Sequence, residues 1–102
     1  MLETLEDLIN IIRNRKNSSP DKSYTKKLLE NKSLSTEKVK EEIAELIEAV
    51  ENNSNKIHEA ADVLYHLVVY LEANGVKIED VMDELSKRKK WVTMTIIFLP
   101  KF

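Results

Sequence analysis

Two pairs of acids stand at the same spacing in the middle of the chain: Glu42 and Glu45, preceded by Glu41, and Glu59 and Asp62. An i, i+3 separation places both members of a pair about 60° apart on one face of an α-helix. Apolar residues border these acids instead of opposing them. Val39, Ile43 and Leu46 flank Glu42, and Ala60, Ala61 and Leu64 flank Asp62, whereas a purely solvated face would carry its acids farther from the apolar stripe. Thirteen residues separate Glu45 from Glu59. That is room for a helix end, a turn and the start of a returning helix, and an antiparallel hairpin would bring the pairs face to face. Four carboxylates so close repel one another, and at least one keeps its proton unless a cation joins them. Mg²⁺ suits such a site, because it takes oxygen ligands, keeps some water and is shared with substrate phosphates. Bound there, it polarises a phosphoryl group and activates water. Acidic helices also produce this spacing by chance, so the residues alone leave a metal site and a charged helix surface both open.

The elements that must position these acids read as helices. Leu2, Leu5, Leu8, Ile9 and Ile12 recur at helical spacing over 2–15. The run Asn17-Ser18-Ser19-Pro20-Asp21 ends that helix, and a short second one is expected over 22–30. After a break over 31–35, Ser35 or Thr36 is the expected cap of a third helix with the stripe Val39, Ile43, Leu46, Ile47 and Val50. Asn52-Asn53-Ser54-Asn55 turns the chain and supplies the cap of a fourth helix over 56–73. Its expected buried side is Ile57, Ala60, Ala61, Leu64, Leu67, Val68 and Leu71, and Asn74-Gly75 stops it. A fifth helix over 79–90 ends in Lys87-Arg88-Lys89-Lys90, a run suited to the negative end of the helix dipole. The segment 91–102 is apolar and β-prone, and is expected as a tail outside the helical domain of residues 1–90. The fold class is all-α: a bundle of about five helices around a central antiparallel pair.

Composition narrows the function. In 102 residues there are 16 basic and 18 acidic side chains, for a net charge of −2, which does not mark a nucleic-acid binder. One Gly and two Pro are too few breakers for an all-β sandwich or barrel. The absence of Cys excludes disulfides, thiolate zinc sites, iron–sulfur clusters and thiol catalysis. No apolar run is long enough to span a membrane, and the first ten residues do not form a secretory signal, so a cytoplasmic protein is expected. Charge is segregated along the chain. Residues 13–40 carry nine basic groups against three acids, and residues 41–62 carry seven acids against Lys56. That pattern suits a bipolar site or two solvated helix faces.

The wording around the acids carries a resemblance. Ser23-Tyr24-Thr25, Leu28-Leu29, Lys38-Val39-Lys40-Glu41-Glu42-Ile43-Ala44-Glu45 and Glu59-Ala60-Ala61-Asp62-Val63-Leu64-Tyr65-His66-Leu67 closely resemble the phosphoribosyl-ATP pyrophosphohydrolases of histidine biosynthesis. These belong to the MazG-like all-α nucleotide pyrophosphohydrolase superfamily, and the similarity covers about residues 2–90. The resemblance implies Mg²⁺-dependent hydrolysis of phosphoribosyl-ATP to phosphoribosyl-AMP and pyrophosphate, with Mn²⁺ as a substitute, by a helical homodimer. It places the metal at Glu42, Glu45, Glu59 and Asp62, and gives Glu41 and Glu42 catalytic roles, Glu41 by orienting or deprotonating the attacking water. Lys38 matches the family and is expected at the phosphates or in solvent; Tyr24 and Thr25 are candidates to close on the nucleotide or ribose, Tyr24 equally to anchor the core, and Lys26 and Lys27 are candidate phosphate partners. Neither nucleic acid nor membrane is an expected partner. His66 is expected as a structural histidine and His58 as an exposed one. The chain departs from many relatives in having Lys40 where they have Gly before the paired glutamates, and in its longer apolar ending. Its length leaves no room for the cyclohydrolase fused to some relatives. Two other readings stay open: a pyrophosphohydrolase that clears aberrant nucleoside triphosphates, and a helical interaction module without catalysis.

Overall fold

Leu5, Leu8, Ile9 and Ile12 share one side of a helix, and that side builds one wall of the core. The computed structural model describes residues 2–19, 21 and 23–94, and among them the regular elements are all helical. They are α1 (Glu3–Asn14), a 3-10 turn (Arg15–Asn17), α2 (Tyr24–Glu30), α3 (Lys32–Glu51), α4 (Lys56–Ala73) and α5 (Ile78–Met94). The core joins Ile9 and Ile12 of α1, Leu28 of α2, and Val68 and Val69 of α4, with Leu5, Leu8, Leu29, Leu34, Tyr65 and Ile78 packed around them. Ile12, Leu28 and Val69 are almost wholly buried. Each such side chain contributes roughly 1.5–3 kcal/mol relative to exposure. Helix α4 is central, since α1, α2, α3 and α5 all pack on it, α3 most extensively.

The boundaries follow from local chemistry, with corrections to the sequence reading. Asn31, not Ser35 or Thr36, caps α3: its Oδ1 accepts from the Leu34 N–H at 3.0 Å and its carbonyl from the Ser35 N–H at 3.0 Å. The expected break over 31–35 is therefore the first turn of the helix, with Ser35 buried inside it. One extended residue suffices to end α2 and start α3. The α3–α4 turn is where expected. Asn53 (φ 53°) and Asn55 (φ 51°) adopt the left-handed conformation that Asn tolerates, but Asn55 makes no side-chain cap. Gly75 (φ 71°) ends α4 as expected, with the Val76 N–H bonded to the Leu71 carbonyl at 2.9 Å. Helix α5 continues to Met94. The basic run at 87–90 therefore lies inside the helix and does not cap it, and the first residues of the expected tail are helical. Residues 95–102, with the rest of that tail, lie outside the described residues.

The apolar face of α4 is the larger correction. Of its expected buried side only Val68 is buried, and Val69 and His66 are buried instead. Ile57, Leu64 and Leu67 are exposed, as are Ile43, Ile47 and Val50 of α3. Helix α4 is apolar nearly all round, so periodicity could not choose which side the protomer's own core would use.

A brace at the other end ties α1 to α4 and α5. Arg13 donates to Glu72 at 2.8 Å and to both oxygens of Glu79 at 2.8 and 2.6 Å, and Lys16 lies 3.0 Å from Glu72. The Glu72 side chain is only 8% exposed. Burial alone would raise its carboxyl, but hydrogen bonds from Arg13 and Lys16 hold it below the ordinary carboxylate value. The Arg13 hydrogen bonds pull Glu79 down to about 2. Both carboxyls thus hold protons less tightly folded than unfolded. The stability they add is complete above the ordinary value of 4.5 and is lost as pH falls toward about 2. Arg13→Met should therefore unfold at lower denaturant than wild type at neutral pH, and the gap should close on acidification to that range. Denaturant curves across pH test this, and a gap independent of pH would refute it.

Candidate active site

The acids come together because the Asn52–Asn55 turn folds α4 back along α3. Oxygens of Glu42, Glu45 and Glu59 lie within 4.8 Å of one another, and a second group of the same span joins Glu59 and Asp62 with a nitrogen of His58. The four acids expected at one site therefore form two overlapping triads that share Glu59. His58 is exposed, as expected, but its Nε2 lies 3.3 Å from an Asp62 oxygen. Sequence reasoning missed that pairing, although the i, i+4 spacing could have flagged it.

Two oxygens of these acids, Oε2 of Glu42 and Oε2 of Glu59, are buried and accept no hydrogen bond. An acceptor shielded from water and left unpaired is destabilising. Burial first, then the charge of Glu45, raises the Glu42 carboxyl, with His66 opposing and Asp62 adding to the rise. Burial and Glu45 likewise raise Glu59, with His58 opposing. Orphaned oxygens and carboxyls reluctant to ionise, on an all-carboxylate inner triad, fit a hard divalent cation. Glu42, Glu45 and Glu59 would hold it, with Asp62 beside them.

The remaining expected site residues are placed unevenly. Glu41 belongs to neither triad and pairs with Lys38 at 3.2 Å. The charge of Glu42 reaches both Tyr24 and Lys38. Burial raises the Tyr24 phenol, Lys38 opposes that rise, and the charges of Glu41 and Glu42 also reach it. Thr25 Oγ1 lies 2.5 Å from the Tyr65 hydroxyl. The Lys26 ammonium is committed to the Lys16 carbonyl (2.5 Å) and to Glu30 (3.0 Å), and Lys27 is exposed on α2. The basic half of the chain does not face the acids as a block. Arg13 and Lys16 are held by Glu72, ten residues beyond Asp62 and so roughly 15 Å along α4. Glu72, the single charge in the apolar second half of α4, was the signal for that brace.

Glu42 and Glu59 hold protons more tightly folded than unfolded, so the metal-free protein loses stability as pH rises through and above the ordinary carboxylate range. At neutral pH without metal, Glu42→Gln or Glu59→Gln should raise the thermal midpoint. Adding Mg²⁺ should raise it in wild type, by about 2.7 kcal/mol of stability at a hundredfold excess over Kd, and far less in either variant. Calorimetry with and without Mg²⁺ checks both signs, and a metal response that survives both substitutions would refute the site.

Residues 5–89 match the family profile described as phosphoribosyl-ATP pyrophosphohydrolase. A phosphoribosyl-ATP pyrophosphatase of Clostridium novyi (strain NT) is 41% identical over 96 residues, covering 89% of this chain and 86% of that protein. The phosphoribosyl-ATP pyrophosphatase of Methylobacterium nodulans is 44% identical over 88 residues, covering 83% and 82%. The histidine biosynthesis bifunctional protein HisIE of Thermotoga maritima is 41% identical over 87 residues, 82% of this chain and 44% of that longer protein. No solved structure matches the chain. With nearly the whole chain aligned to that profile and to such relatives, and with the paired acids converging on one hairpin, the chain belongs to the phosphoribosyl-ATP pyrophosphohydrolase family.

Proposed function

We propose that the protein hydrolyses the α–β phosphoanhydride of phosphoribosyl-ATP, giving phosphoribosyl-AMP and pyrophosphate, the second step of histidine biosynthesis. The observation that carries the reading is the convergence of Glu42 and Glu45 from α3 with Glu59 from α4, two of their oxygens buried and unpaired. Mg²⁺, with Mn²⁺ as a substitute, is the cation such oxygens select. When bound it offsets the charge that develops on the phosphates. Glu42, Glu45, Glu59 and Asp62 would hold it, and Glu42 in addition shapes the charge around the reacting phosphate. Glu41, held by Lys38 at 3.2 Å, orients the attacking water and takes its proton. The water oxygen bonds to the α-phosphorus as the α–β bridging bond breaks, and pyrophosphate leaves. Lys38 meets the phosphate oxygens. Tyr24 and Thr25 border the nucleoside side, and the exposed Lys27 extends the basic rim along α2.

We also infer a homodimer. Ile43, Ile47 and Val50 of α3 and Ile57, Leu64 and Leu67 of α4 leave an apolar face exposed, Ile57 at 88%. A second copy is the partner that matches it, because a face of this kind on a biosynthetic enzyme is normally an interface. Among the described residues no helix is long and apolar enough to cross a membrane. A cytoplasmic setting agrees with that and with a nucleotide substrate.

Purified protein with Mg²⁺ should release pyrophosphate from phosphoribosyl-ATP and much less from ordinary nucleoside triphosphates, and Glu42→Gln should lower kcat by on the order of 10²-fold or more. Equal rates across a nucleotide panel would replace the substrate, and no release from any nucleotide would end the enzyme reading. Light scattering should give twice the chain mass for wild type and the single-chain mass for Ile47→Glu combined with Leu64→Glu. A monomeric wild type would remove the dimer.

A further inference from the structure

Helix α2 is fastened to the acidic helix by two side-chain hydrogen bonds that the catalytic reading does not use. Thr25 Oγ1 meets the Tyr65 hydroxyl at 2.5 Å, and the Tyr24 hydroxyl meets His66 Nε2 at 3.3 Å. His66 is nearly buried, at 8% exposure. Its ring is held edge-on by Tyr65 (centroids 4.9 Å apart, planes at 88°) and by Tyr24 (6.1 Å, 73°). Its other nitrogen, Nδ1, lies 2.9 Å from the backbone carbonyl of Asp62.

That carbonyl decides the chemistry of the cluster. A carbonyl oxygen only accepts, so Nδ1 carries the ring hydrogen, and in the neutral imidazole Nε2 is left as an acceptor. With the ring in that neutral form, the Tyr24 O–H is the donor to Nε2. A hydroxyl has one hydrogen and two lone pairs. With its hydrogen spent on His66, the Tyr24 oxygen has only lone pairs to offer. Tyr24 is half exposed, at 48%, and stands within reach of the charges of Lys38, Glu41 and Glu42. Whatever it meets there must bring a hydrogen. Phosphate oxygens around a divalent cation bring none, whereas sugar hydroxyls and a base N–H do.

We propose that His66 is a positioning residue which fixes the hydroxyl hydrogen of Tyr24, so that Tyr24 meets the substrate only as an acceptor and recognises a donor group on its nucleoside part. This rests on the hydrolysis of a nucleotide proposed above. It divides the rim by chemistry: Lys38 takes the phosphates and Tyr24 takes the nucleoside.

The test separates nucleoside from phosphate binding with Mg²⁺-ATP and Mg²⁺-tripolyphosphate as probes, in wild type, Tyr24→Phe, His66→Phe and the double variant. One neutral hydrogen bond lost corresponds to about two- to tenfold in affinity. Each single variant should weaken ATP by that factor and leave tripolyphosphate unchanged, and the double variant should be no worse than either single. Tripolyphosphate weakened as much as ATP would overturn the proposal, because Tyr24 would then serve the phosphates, through Lys38 or directly. Multiplying effects in the double variant would overturn it as well. With 2′,3′-dideoxy-ATP, loss of the Tyr24→Phe effect assigns the donor to the sugar, and its persistence assigns it to the base. Nitrogen NMR supplies a readout free of ligand: Tyr24→Phe should shift the His66 Nε2 resonance and leave Nδ1 protonated, and an Nε2-protonated ring in wild type would refute the geometry. If His66→Phe fails to fold, the half-exposed Tyr24→Phe carries the comparison alone. Binding ratios do not depend on which nucleotide is cleaved. A wild type inactive on phosphoribosyl-ATP would thus strike the proposed reaction, while the ratios still decide the role of His66.

Discussion

Carboxylates forced together at the mouth of the α3–α4 hairpin impose the constraint to which the rest of the molecule answers. Glu42, Glu45 and Glu59 bring oxygens within 4.8 Å of one another, and Glu42 and Glu59 each bury an oxygen without any hydrogen-bond donor. Within the bare chain this arrangement is unfavourable, because burial and mutual repulsion both oppose ionisation. A protein keeps such a cost only where the rest of the fold over-determines it. The same electrostatics that oppose ionisation of these acids in the bare chain would favour a small, hard cation among them.

The over-determination is visible in how α4 is held. Its first turns carry Glu59 and Asp62, its middle carries Val68 and Val69 into the core, and its last turn carries Glu72 into the brace with Arg13. Hydrophobic packing at the centre and charge pairing at the far end leave the N-terminal third of the helix little freedom. Helix α2 adds a third attachment through Tyr24 and Thr25 to His66 and Tyr65. Since His66 lies one turn beyond Asp62 and bonds to its carbonyl, that attachment is made directly behind the acids.

Much of this was legible in the residues. The i, i+3 acids, the Asn-rich turn and the Asn74-Gly75 stop are local patterns whose physics is contained in a few neighbouring side chains, and each stands where expected. Boundaries were less legible. The start of α3 turned on whether Asn31 or Ser35 would cap, and both side chains suit that role. The end of α5 was misplaced because the basic run at 87–90 looks like a terminus by charge, whereas the backbone continues to Met94. Lys26 has the type and position of a phosphate ligand, but its ammonium is drawn to the Lys16 carbonyl and Glu30, contacts that depend on where the 3-10 turn places residue 16.

The sequence by itself determined that the chain would be helical, that two acidic pairs would share a hairpin, and that Cys chemistry was absent. Periodicity, capping and composition act over a handful of residues and need no fold to be read. Only the tertiary structure decided which side of α4 would be buried, that Glu59 would belong to both triads while Glu41 belonged to neither, and that His66 would join Tyr24 to Asp62. A helix as apolar as α4 has several sides fit for a core, and the choice among them is made by the shape of α1 and α2 packing on it. That choice then fixes the rotation of the helix, and with it the direction in which every acid on its surface points.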